Sequence, residues 1–88
     1  GVHMKNIYDP RYRAVIKLLK AYRLNSNMTQ QELATLLDCD QAYISKYESG
    51  QRRLDIIEIR SICEKLGISL YDFVSDLETT IKEEHLDD

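Results

Sequence analysis

The sequence predicts an all-α protein of five short helices. Three observations carry that prediction. Apolar residues recur at three- and four-residue spacing in five successive stretches, cap-forming side chains or glycines stand between the stretches, and no apolar-polar alternation of useful length occurs. A chain of 88 residues makes one domain at most. It buries only about 60% of the surface its unfolded form exposes, so association with a second copy is an expectation from the outset. Gly1, Val2 and His3 before Met4 read as an expression scar, which leaves one domain over residues 4–82 and an acidic tail over 83–88.

The first helix opens at Asp9-Pro10, a side-chain acceptor followed by a ring whose missing N–H costs nothing at the first helical position. Tyr12, Val15, Ile16, Leu19 and Tyr22 form its inner face, Arg11, Arg13, Lys17 and Lys20 its outer one, and Leu24 to Asn27 end it. Thr29 and Glu32 have capping-box spacing, so a second helix starts at Gln30, carries Leu33, Ala34, Leu36 and Leu37, and stops near Asp38. Asp40 is placed to cap a third helix from Gln41 to about Glu48, closed by Ser49-Gly50. Asp55 caps a fourth with the stripe Ile56, Ile59, Ile62, Cys63 and Leu66, and Gly67 stops it. Ser69 and Asp72 suggest the cap of a fifth, whose Leu70, Phe73, Val74, Leu77 and Ile81 fade into a fraying end.

Charge is unevenly spread behind a net value of −3: residues 1–30 hold six bases against Asp9, whereas residues 54–88 hold three bases against ten acids. An acidic chain argues mildly against a polyanionic partner. A local basic face still attracts one, because charges beyond a Debye length of about 8 Å are largely screened. Cys39 and Cys63 form no C-x-x-C pair and have only His3 and His85 as companions, so they read as packing groups, with no metal, cofactor or disulfide expected. No apolar run approaches the ~18 residues of a membrane span and no leader pattern is present, so a cytoplasmic protein with no membrane partner is expected. The chain has no paired carboxylates in a pocket-forming context, no Ser-His or Cys-His arrangement and no phosphate-cradling glycine loop, so no catalytic residue is assigned.

The second and third helices, about two turns each, are joined only by Asp38, Cys39 and Asp40, which forces the steep crossing of a helix-turn-helix. Ile44 and Tyr47, with Cys39, pin the third helix from behind and leave Gln41, Ala42, Ser45, Lys46 and Ser49 outward. An amide, a methyl, a hydroxyl and one cation suit base edges in a major groove.

The blocks Thr29-Gln30-Gln31-Glu32-Leu33-Ala34, Ile44-Ser45-Lys46-Tyr47-Glu48-Ser49-Gly50 and Leu66-Gly67-Ile68-Ser69 together resemble the XRE family of helix-turn-helix regulators. That family includes the lambda repressor and Cro proteins and the small controller proteins of restriction-modification systems. The likeness runs from about Leu19 to Val74. It implies a lambda-repressor-like DNA-binding domain, with the helix-turn-helix at about residues 29–48, and double-stranded DNA as partner. Gln41 falls at the family's main base-reading position, with Ala42, Ser45 and Lys46 at the others. Gln30 resembles the glutamine that touches a phosphate and braces the recognition helix. Tyr43, Arg52 and Arg53 resemble phosphate-contacting positions, and Thr29 and Ser49 at the two ends of the pair join that set. Glu48 resembles a glutamate that pairs with an arginine of helix one, for which the nearest equivalent is Lys20. Asp38 stands where the family favours glycine, a place a short Asx side chain tolerates at positive φ.

Ile57, Tyr71, Val74, Leu77 and Ile81 are more apolar than one small core needs and read as a two-fold interface. The expectation is therefore a homodimeric, sequence-specific regulator of a pseudo-palindromic operator, with RNA polymerase, occluded or recruited, as a candidate protein partner. The alternative is an antitoxin-like or adaptor protein that binds a protein partner through its C-terminal helix.

Overall fold

The computed structural model describes residues 9–88; residues 1–3, read above as an expression scar, and Lys5 lie outside the described residues. Five helices follow in order: α1 (Pro10–Asn25), α2 (Gln30–Leu37), α3 (Gln41–Glu48), α4 (Ile56–Lys65) and α5 (Leu70–Glu83). No strand occurs among the described residues.

Each start is built by the chemistry the sequence advertises, with one exception. The Asp9 carboxylate accepts the Arg11 amide at 2.8 Å ahead of Pro10. Thr29 and Glu32 cap α2 reciprocally, at 3.0 and 2.9 Å. Asp55 and Glu58 do the same for α4, at 2.8 and 2.9 Å, and Ser69 accepts the Asp72 amide at 3.0 Å. Asp40 is the exception: it occupies the N-cap position of α3 in extended geometry, yet its side chain makes no capping bond. The Tyr43 amide it would satisfy is instead taken by the Asp40 backbone carbonyl at 3.0 Å.

The core is assembled from one face of every helix. Leu19, Leu33, Ala34, Ile44, Tyr47 and Cys63 are wholly buried, with Ile62 and Phe73 nearly so. Tyr12 and Tyr22 are half-buried rather than sunk. Their rings pack while their hydroxyls reach polar partners, the usual compromise for tyrosine: Tyr12 accepts the Leu54 amide at 3.1 Å, and Tyr22 donates to Asp76 of α5. Leu36 and Ile56, expected in the apolar stripes of α2 and α4, are exposed instead. α2 turns Leu33 and Ala34 to the core and α4 turns Ile59, Ile62 and Cys63, which leaves Leu36 and Ile56 off the inner face.

The C-terminal end departs from the expected fraying. The Leu86 amide donates to the Ile81 carbonyl at 2.9 Å, and Arg11 reaches Asp87 at 3.2 Å. Leu86 is half-buried in a groove lined by Pro10, Ala14, Leu18 and Thr80. The half-buried Leu86 side chain and the Arg11–Asp87 ion pair together lay the end back over α1.

Candidate nucleic-acid interface

α2 and α3 meet through Asp38, whose φ of 55° places it in the left-handed region, as a short turn between two helices requires. The Asp38 and Cys39 amides close onto the Thr35 and Ala34 carbonyls at 3.2 and 3.0 Å. Behind α3, Ile44 and Tyr47 are fully excluded from solvent and Cys39 is half-buried. Burying a pair of side chains of that size contributes about 1.5–3 kcal/mol each. That burial, not intrinsic helicity, holds so short a helix in place. On the opposite side Gln41, Ala42, Ser45, Lys46 and Ser49 are all exposed.

The two ends of α3 are tied to the rest of the molecule by a buried polar network. Arg23, only 6% exposed, donates from Nε and Nη2 to the two oxygens of Glu48 at 2.7 and 2.9 Å. Its Nη1 donates to the Met28 carbonyl at 2.7 Å and so also fixes the loop into α2. Glu48 Oε1 accepts Nε2 of Gln30 at 3.0 Å, and Gln30 Oε1 in turn accepts Nε2 of Gln41 at 3.3 Å. A chain of hydrogen bonds thus runs from the core to the exposed amide of Gln41. The Glu48 contact holds the Arg23 guanidinium even more firmly protonated than usual, against the opposing effect of burial.

This pair corrects the expectation that Lys20 partners Glu48. Lys20 is exposed on α1, whereas Arg23 lies inside. The spacing Ile16, Leu19, Arg23 continues the buried stripe of the helix, a signal that a base at an apolar position needs a partner within.

A second cluster flanks α3. Tyr43 Oη and Arg52 Nη1 both donate to Glu58 Oε2, each at 2.7 Å. The Arg52 guanidinium lies 4.7 Å from the centroid of the Tyr43 ring, and the Arg53 guanidinium 4.6 Å from that of Tyr12. Such cation–π packing orders otherwise loose cations. Burial pushes the Tyr43 hydroxyl above its ordinary range, so it remains a donor. Glu58 is held below the ordinary carboxylate value of 4.5, first by the Asp55 amide and then by Tyr43 and Arg52. Sequence reasoning read Tyr12 only as an inner-face residue and passed over Glu58, for which the signal was present, since Asp55 and Glu58 have capping-box spacing.

The structure therefore brings Gln30 and Gln41 into contact, gathers Tyr43 and Arg52 on one carboxylate, and sets Lys46 with Ala42, Tyr43 and Arg52 around one shallow depression. Thr29 is engaged in the cap of α2, and the Ser49 hydroxyl donates to the Lys46 carbonyl at 3.1 Å. Asp38 and Asp40 border the same depression and temper its positive charge.

Fold and surface define a helix-turn-helix protein, and residues 19–73 match the family HTH_3, Helix-turn-helix. The chain belongs to the XRE family of helix-turn-helix, DNA-binding transcriptional regulators. It is similar to the control protein C.MunI of a Mycoplasma species, 31% identical over 70 residues that cover 80% of this chain and 95% of that protein. It is also similar to the uncharacterized HTH-type transcriptional regulator YqaF of Bacillus subtilis, 36% identical over 61 residues, 69% of this chain and 80% of that one. Among solved structures, an XRE-family like protein from Pseudomonas syringae superposes with a TM-score of 0.80 at 38% identity, covering 91% of this chain and 98% of the other. No helix among the described residues is long and apolar enough to cross a membrane.

Proposed function

We propose that the protein binds a pseudo-palindromic operator as a homodimer, each copy placing α3 in the major groove, and acts on transcription by occluding or recruiting RNA polymerase. The observation that carries this reading is the division of α3: Ile44 and Tyr47 wholly buried, and Gln41, Ala42, Ser45 and Lys46 exposed together on the other side. Gln41 spends one amide hydrogen on Gln30 and keeps its carbonyl and second hydrogen, the pair that matches an adenine edge. Lys46 offers a donor to guanine, and Ala42 a methyl to thymine. Gln30, Thr29, Tyr43, Ser49, Arg52 and Arg53 surround the reading surface as groups for phosphates, which set register without carrying sequence.

Dimerisation follows from the small size of one reading surface, since two copies span half-sites about 34 Å apart. Ile57 and Tyr71 are largely exposed and Val74 partly so, with Leu77 and Ile81 half-buried on the same C-terminal helix as Tyr71 and Val74. That is the apolar face offered to a second copy.

The test is selection of bound duplexes from random sequence, followed by fluorescence anisotropy on the enriched site. Gln41→Ala and Lys46→Ala should each cost about 1–3 kcal/mol on that site and relax preference at one position, while Arg52→Ala should weaken all sequences alike and flatten the salt dependence. Equal losses for all three variants on every duplex would remove base reading from α3.

A further inference from the structure

Two groups of the proposed phosphate edge, Tyr43 of α3 and Arg52 in the segment after it, end on a single oxygen of α4. Glu58 Oε2 accepts from both at 2.7 Å, while Oε1 accepts the Asp55 amide at 2.9 Å. The carboxylate therefore cannot swing away without opening the capping box of α4. Arg52 Nη1 also donates to the Arg53 carbonyl at 3.3 Å, which ties down one end of the guanidinium. Its Nε and Nη2 hydrogens make no hydrogen bond among the described residues, and that edge of the fork fits two phosphate oxygens. With Glu58 only a quarter exposed and Arg52 less than half, the pair is partly shielded from solvent.

We infer that Glu58 tempers DNA-backbone binding: by its charge, and by holding Arg52 Nη1 and the Tyr43 hydroxyl, it offsets the attraction that a polyanion feels there. The inference rests on the reading of α3 given above. Backbone attraction is the same for every sequence. Lowering it weakens binding to every duplex by the same factor and leaves the discrimination by Gln41 and Lys46 as it was. An operator must be found among a great excess of other sites, so weaker attraction to all of them leaves less of the protein held away from its target.

Glu58→Gln tests this, because glutamine at the third position of a helix keeps the capping geometry while removing the charge. Binding to a mixed-sequence duplex and to a selected duplex is followed by anisotropy over a salt series, with circular dichroism to confirm helix content. For the mixed-sequence duplex, Glu58→Gln should bind several-fold more tightly at low salt, and the slope of log K against log salt should steepen by about 0.9, the value of one additional phosphate charge neutralised. The selected duplex should gain by the same factor. Glu64→Gln, an equal change of charge at an exposed position on the same helix, should leave the slope as it was. Coincident slopes for Glu58→Gln and the unaltered chain, looser binding by Glu58→Gln, or an equal steepening by Glu64→Gln each overturn the role of Glu58 alone. If the unaltered chain binds no duplex in a salt-dependent way, the reading of α3 falls, and this inference with it.

Discussion

Arg23 of α1 grips Glu48 of α3 through two parallel hydrogen bonds of 2.7 and 2.9 Å, and the same guanidinium holds the entrance to α2 through the Met28 carbonyl. α1, α3 and the entrance to α2 are therefore joined through one buried cation. A bidentate guanidinium–carboxylate contact is both stronger and more directional than an ammonium pair.

Removing one partner leaves the other charged and enclosed. Arg23→Met is expected to cost about 3–5 kcal/mol, the penalty of an uncompensated buried charge. Arg23→Lys should recover part of that loss, since it restores the charge without the fork. Urea midpoints for the three chains check the order. Equal midpoints for Arg23→Met and the unaltered protein would show that the pair adds nothing to stability.

The apolar face of α5 makes a separate prediction, because Val74 is exposed and Tyr71 83% so in the single chain. Val74→Glu should leave the melting temperature of dilute protein nearly unchanged, since neither residue belongs to the core. It should also halve the mass seen by light scattering and weaken operator binding. A mass unaffected by Val74→Glu would move the interface elsewhere.

Acid should weaken the fold through its caps. The Arg11 side chain and amide hold the Asp9 carboxyl down at about 2, against an ordinary 3.8. The Thr29 amide and hydroxyl hold Glu32 below its ordinary 4.5, and the Asp55 amide does the same for Glu58. A depressed carboxyl contributes its stabilisation fully above the unfolded value and loses it as pH falls through the folded one. The melting temperature should therefore decline from about pH 4.5 downward, and less steeply in a Glu32→Gln, Glu58→Gln double variant. Parallel declines in the two proteins would remove these caps as the cause.

Much of this was legible in the sequence, and for local reasons. Caps at Asp9, Thr29, Asp55 and Ser69 are short-range chemistry, so helix boundaries follow from residues two or three positions apart. The pinned pair Ile44 and Tyr47 follows from spacing in the same way, whereas the left-handed Asp38 follows from the family resemblance, which favours glycine there. What escaped were contacts between helices. Arg23 rather than Lys20 meets Glu48 because the register of α1 against α3 is set by the whole core, across 25 positions of chain. The union of Tyr43, Arg52 and Glu58 likewise depends on how α4 docks beside α3. The return of Leu86 onto α1 rests on one half-buried side chain and one ion pair, which no periodicity announces.

The brevity of α3 has one more consequence. Eight residues are too few to stay coiled when isolated in water. α3 therefore stays folded only while Leu19, Leu33 and their neighbours remain assembled beneath it. Damage to the interior of this protein should silence its target recognition abruptly, at the cooperative melting point, and not blur it by degrees.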